Sequence, residues 1–230
     1  VDIIPKVSCI ILVTPIDLEA PKGRLILPQV QTLRDILDAE SYSLVVKENH
    51  LADALKNLAK PPALVVTDSQ AFEQVSKIVP ENINLTGFSI VFARFKGDLL
   101  ELVKGVKAIE NLKPNDKILI AEACSHHPIE GDIGRQKIPN WLRKHLGFEL
   151  DIDVKAGRDV PENVSKYKLV IHCGACVFNR KEMLSRIENA IICETPITNY
   201  GVTIAYLHGM LKRALQPFTK KIPELKNIIK

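Results

Sequence analysis

The sequence predicts an α/β protein of two consecutive units, each a mostly parallel sheet flanked by helices. Short apolar runs alternate with helix-period segments along the 230 residues, the order that feeds a parallel sheet through crossover helices. Several of these runs are apolar without alternation, as strands covered on both faces are. A polar stretch, Asn111–Lys117, interrupts the pattern near the middle and places one unit at 1–112 and a second at 113–230.

Val7–Val13 reads as the first strand, and Cys9 inside it as a small buried hydrophobe. Glu19–Pro28 reads as a structured loop. Lys22, Gly23 and Arg24 suit an anion, but the phosphate-cradling pattern Gly-x-x-x-x-Gly-Lys-Ser/Thr occurs nowhere in the chain. Pro28 opens a helix carrying Leu33, Ile36 and Leu37. Asn49 is expected to cap a helix with Leu51, Leu55 and Leu58. Ala63–Thr67 reads as a strand, and Asp68 as the cap of a helix with Ala71, Val75 and Ile78. Phe88–Phe92 reads as the next strand.

In the second unit the expected strands are Lys117–Ala121, Glu149–Val154, Lys168–Ile171 and Ala190–Cys193. Pro139 and Gly147 bracket a helix holding Trp141 and Leu142. Asn179 and Glu182 have capping-box spacing ahead of Met183, Leu184 and Ile187. A last helix is expected around Val202–Leu215. No short repeat or low-complexity segment is visible.

An apolar fraction of 46% with 25% charged residues is that of an ordinary globular protein. No apolar run approaches the ~20 residues of a membrane span, and the first residues lack signal-peptide features, so a cytoplasmic location is expected. The net charge of +4 is small and the lysines are scattered. Nucleic acid and membrane are therefore not expected partners, since phosphate tracking needs a concentrated basic stripe. Lys220, Lys221, Lys226 and Lys230 read as a solvated end.

The chemistry concentrates in the second unit. Three of the five cysteines fall in Cys124-Ser125-His126-His127-Pro128 and His172-Cys173-Gly174-Ala175-Cys176, with 45 residues between His126 and His172. In a chain without a disulfide framework such clustering points to metal. A Cys-x-x-Cys step aims two thiolates at one centre, and Gly174 is expected to relax the turn. Cys124 and Cys173 each follow a strand. Parallel strands would bring both to the carboxyl edge, where open α/β sheets place ligands. Cys193–Tyr200 is expected at the same rim, leading into a helix whose amino end favours an anionic centre. Thiolates select zinc, copper(I) or iron–sulfur clusters. Spacing alone leaves a Cys₃His zinc site and a three-cysteine cluster both open.

These residues resemble the signature of the HydF family of [FeFe]-hydrogenase maturation GTPases, Cys-x-His, 45 residues, His-Cys-x-x-Cys. The likeness extends through Ala121–Pro128, Asp132–Pro139, Pro196–Gly201 and, in the first unit, Pro15–Gln29. It implies a [4Fe-4S] cluster on Cys124, Cys173 and Cys176, a first unit that dimerises and a second that carries the cluster. It further implies a scaffold or carrier for the di-iron precursor of the hydrogenase active site. The implied partners are a second copy, the hydrogenase and the radical maturases that build the cargo. The family's GTP-binding domain has no counterpart in this sequence, so no catalytic activity is expected of this chain alone.

His126 and Glu130 are the leading candidates for a fourth ligand, with His172 behind them and Asp132 weaker; water at an open iron is the remaining option. Pro128 holds His127 extended, facing away from His126. Arg135, Thr198 and Asn199 are expected around the ligands, with Arg135 and Lys137 able to attract an anionic complex. Cys193 reads as a packed thiol, and His50, His145 and His208 as ordinary helix residues. Two rival functions belong to other classes. One is a three-cysteine hydro-lyase, which should show an arginine clamp for substrate carboxylates. The other is a zinc-stabilised interaction module.

Overall fold

The computed structural model describes residues 2–16, 23–123 and 132–228. Cys124, His126, His127 and Glu130 lie outside the described residues. The chain forms two compact units, one of residues 1–91 with 210–230 and one of residues 92–209.

The first unit runs β1 (Cys9–Val13), α1 (Leu27–Asp38), β2 (Tyr42–Val46), α2 (Leu51–Asn57), β3 (Leu64–Thr67), α3 (Phe72–Ile78), β4 (Leu85–Gly87), and into α4 (Phe88–Lys96), within which the division falls. Its sheet is wholly parallel in the order β2-β1-β3-β4. Alternate residues point to opposite faces: Ile10 and Leu12 join Ile36, Leu64, Val66 and Phe88 in one core cluster, while Ile11 and Val13 are fully buried on the other face. Both faces are covered, which explains the unbroken apolar runs.

The second unit runs α5 (Leu99–Val106), β5 (Lys117–Glu122), α6 (Ile138–Leu146), β6 (Asp151–Ala156), β7 (Leu169–His172), α7 (Arg180–Ile192), β8 (Ile197–Asn199) and α8 (Tyr200–Leu207). Its sheet is parallel in the order β6-β5-β7-β8. The two sheets thus have the same topology, an echo between halves that the sequence does not display. The stretch Asn111–Lys117 lies inside this unit. The last elements, α9 (Leu211–Leu215) and α10 (Leu225–Ile228), belong to the first unit. There Thr86 Oγ1 donates to the Ala214 carbonyl at 2.8 Å, and Arg213 donates to the carbonyls of Ser76, Val79 and Pro80.

The structure corrects several local expectations. Phe88–Phe92 is helix, and the strand is the three residues before it, Leu85–Gly87. Ala190–Cys193 is the end of α7, and the strand is Ile197–Asn199. Both strands are only three residues long at a sheet edge and run straight into a helix, so their apolar neighbours mask them. Strand β2 carries no clear sequence signal because it is half-exposed: Tyr42, Leu44 and Val45 are all solvent-facing. Asn49 lies in a 3₁₀ turn rather than capping α2, and Asp68 accepts from the Gln70 amide ahead of α3. Asn179 caps α7 as expected, accepting from the Glu182 amide at 2.9 Å, and α6 ends at Gly147 with φ 77°. Among the described residues no helix is long and apolar enough to cross a membrane.

Candidate metal centre

Register decides what reaches the rim of the second sheet. Ala121 pairs with His172, and His172 with Asn199, so Glu122, Cys173 and Tyr200 leave three adjacent strands at the same edge. The Cys173 amide donates to the Ala121 carbonyl at 2.8 Å, extending the ladder one residue past the strand. Cys193 does not belong here. It ends α7, before the amino end of β8, with its thiol 4.0 Å from the Glu162 carbonyl. The expectation that Cys193–Tyr200 reaches the rim holds only for its last residues.

Among the described residues the Cys173 sulfur accepts two backbone amides, from Ala123 at 3.1 Å and Ala175 at 3.5 Å. Such bonds favour a thiolate. Cys176 follows three residues on, and both cysteines are half-buried. The turn between them is made by Ala175, at φ 51°, and not by Gly174, where an added Cβ would meet open space. A left-handed alanine is uncommon, and here its amide is one of the two directed at the Cys173 sulfur.

His172 is buried at 1% exposure and both ring nitrogens are engaged. Nδ1 lies 2.8 Å from the Cys173 carbonyl oxygen, and Nε2 lies 3.1 Å from Arg186 Nη1. Burial pushes its pKa down to about 4. Arg186 also donates to the Gly157 carbonyl at 2.9 Å and lies 4.6 Å over the Phe178 ring. Neither Arg186 nor this ring-and-guanidinium packing is signalled in the sequence, because the partners come from four separate segments.

A second cluster stands on the β5 side. Glu122, 1% exposed, accepts from Arg135 Nη2 at 3.0 Å. Asp132, also buried, caps the π-helical turn Ile133–Lys137 by accepting from the Arg135 amide at 2.8 Å. Gly134 leaves room for the Tyr200 phenol: a Cβ there would stand 2.0 Å from Tyr200 Oη. The Tyr200 phenol is held well above its usual pKa by burial, with the Cys173 sulfur, Glu122 and Asp132 adding to the shift. Asn199 caps α8 through the Val202 amide at 2.8 Å, so its side chain serves the helix start. Thr198 is fully buried, its hydroxyl without a hydrogen-bond partner among the described residues.

Arg135 is thus occupied by Glu122. Arg180 donates to the carbonyls of Arg94, Phe95 and Gly97. Neither is presented as a clamp for a substrate carboxylate. Among the described residues no three His, Cys, Asp or Glu side chains gather as a metal site; the third sequence candidate, Cys124, follows Ala123 directly but lies outside them.

No curated protein matches the chain. Two family models do. Residues 1–97 match the hydrogen maturase F dimerization domain, and residues 100–217 match the hydrogen maturase F tetramerization domain. Both descriptions name self-association, so the chain is a self-associating protein. Consecutive domains of one family account for nearly its whole length, and the chain belongs to the hydrogen maturase F family, which places its role in hydrogenase maturation.

Proposed function

We propose that Cys124, Cys173 and Cys176 hold one [4Fe-4S] cluster, with a fourth, exchangeable ligand drawn from His126 or Glu130. The observation that carries this reading is the pair of amides aimed at the Cys173 sulfur. Amide donors to ligating sulfurs are a feature of iron–sulfur sites, and the donor set fits: two thiols from one turn at the carboxyl edge of a parallel sheet. Helix α8 starts beside them, with its positive dipole end at the rim. The His172 ring has both nitrogens in use, so it positions the Cys173 backbone instead of ligating. When bound, the cluster supplies an iron open to exchangeable donors.

The chain then acts as scaffold and carrier in [FeFe]-hydrogenase maturation. Its substrate is the di-iron precursor, received from the radical maturases and delivered to the hydrogenase in the cytoplasm. The unit of residues 1–91 with 210–230 joins two copies, and the unit of residues 92–209 carries the cluster. A physical means for the first is β2, an edge strand bearing exposed Tyr42, Leu44 and Val45; an unpaired apolar edge is a template for another chain. Anaerobic reconstitution should load about four irons and four sulfides per chain. Stoichiometric zinc without sulfide would instead establish the zinc-stabilised module and overturn this reading.

A further inference from the structure

Lys96 is a buried cation in the second unit that the cluster reading leaves unexplained. It ends α4 at 7% exposure. Its ammonium donates to the carbonyls of Cys176 at 2.6 Å, Phe178 at 2.8 Å and Ala175 at 3.3 Å. An ammonium has three donors, so the set is complete and no lone pair is offered to a metal or electrophile. The ammonium also lies 5.3 Å from the Phe92 ring centroid.

Burying an ammonium is costly unless it is paired. Carbonyl dipoles satisfy its hydrogen bonds but leave its charge standing. Among the described residues no carboxylate forms an ion pair with it; burial pulls its pKa down, and the nearby Cys176 thiol opposes that shift. The neighbouring side chain, Arg180 on α7, reaches back to the carbonyls of Arg94, Phe95 and Gly97. The end of α4 and the cysteine turn therefore hold each other through two cations with exchanged carbonyl acceptors. Arg180 is exposed, so water compensates its charge. Lys96 is buried, and what its ammonium faces is the backbone of the cysteine turn.

We infer that Lys96 is the positioning residue of the Cys173–Cys176 turn, gathering its outer carbonyls and supplying a fixed positive charge to the anionic, thiolate-held centre. This rests on the cluster reading above. It assigns Lys96 two effects that can be separated: geometry, which another donor could preserve in part, and charge, which only another cation preserves. A cation beside an anionic centre favours its reduced, more negative state, so charge is read in the reduction potential.

The test uses the full chain, anaerobically reconstituted, as wild type and as Lys96→Met, Lys96→Gln and Lys96→Arg, with Lys104→Met as control. Lys104 is a half-exposed lysine ion-paired with Glu101 at 2.5 Å. In Lys96→Met and Lys96→Gln the midpoint potential should fall by about 59 mV, a tenfold shift in a one-electron equilibrium. Loss of iron to a chelator should be about tenfold faster, since 1.4 kcal/mol of lost retention is a factor of ten. Lys96→Arg should keep most of the potential, and Lys104→Met should move neither quantity. Unchanged potentials in both neutral variants overturn the inference. So does an equal fall in Lys96→Arg, or failure of both neutral apo-variants to fold while Lys96→Arg folds, since either shows a purely structural lysine. Wild-type protein that takes up no iron and sulfide is a distinct result: it removes the cluster reading itself, and this inference with it.

Discussion

Arg186 Nη1 lies 3.1 Å from His172 Nε2, and because a guanidinium can only donate, that nitrogen must be the acceptor of a neutral imidazole. The ring proton is therefore on Nδ1, donated to the Cys173 carbonyl 2.8 Å away. Both ring nitrogens of His172 are thereby engaged, one of them on the backbone of Cys173. Nitrogen NMR of the apo-protein at neutral pH should show the Nδ1–H tautomer for His172. In Arg186→Leu the tautomer bias should relax, and the iron content after reconstitution should drop several-fold while the secondary structure persists. An Nε2–H ring in the wild type contradicts the assignment.

The proposed ligands are tested by substitution. Alanine at Cys124, Cys173 or Cys176 should abolish or gravely reduce the cluster. His126→Ala and Glu130→Ala should keep it, because one iron can take water or imidazole, but one of the two should alter the electron paramagnetic resonance spectrum of the reduced protein. Added imidazole or cyanide should perturb the wild type at the same iron. Unaltered spectra in every case would refute an exchangeable fourth position.

Strand β2 gives the self-association claim a physical target. Val45 is 42% exposed on that edge strand, and lysine on a strand edge opposes pairing. Val45→Lys should lower the sedimenting mass at micromolar concentration by weakening the contact between copies, with the thermal midpoint of the chain nearly kept. A wild-type monomer would dismiss the edge-pairing idea outright.

Close approach of α5 to β8 predicts a stability effect away from the chemistry. A Cβ at Gly105 would stand 1.8 Å from the Ile197 carbonyl oxygen. Gly105→Ala therefore requires backbone movement, and overpacking of this kind costs about 1–3 kcal/mol. Denaturant unfolding should show the loss. A neutral effect would mean that helix and strand are less tightly apposed.

Alkaline pH offers an independent check of the second sheet. Burial, with the hydrogen bond to Asp153 at 2.8 Å, pushes the Tyr167 phenol up to about 12. Its folded pKa lies above the free value of about 10. Its contribution to stability is therefore complete below pH ~10 and lost as pH rises through about 12. Tyr167→Phe should flatten that part of the stability profile. An unaltered slope there would show that the bond to Asp153 contributes nothing.

Much of this was legible beforehand because it is local. Pro139, Gly147 and Asn179 mark helix ends through their own backbone chemistry, and the apolar runs of β1, β3, β5 and β7 need no partner to be seen. The three-residue strands β4 and β8 were hidden, since a strand that short has no period. Strand β2 was hidden because its exposed apolar face imitates no common pattern.

The sequence alone determined the α/β class, the two-unit plan and the cysteine spacing, since composition, punctuation and spacing are one-dimensional properties. Tertiary structure decided which residues serve those cysteines. Parallel register carried Glu122, Cys173 and Tyr200 to one rim, and left Cys193 at the other end of β8. Packing buried His172 between the Cys173 carbonyl and Arg186, and buried Lys96 against carbonyls about 80 positions away. Burial and hydrogen bonding between distant segments are set by the path of the chain in space, and no spacing along the chain encodes them.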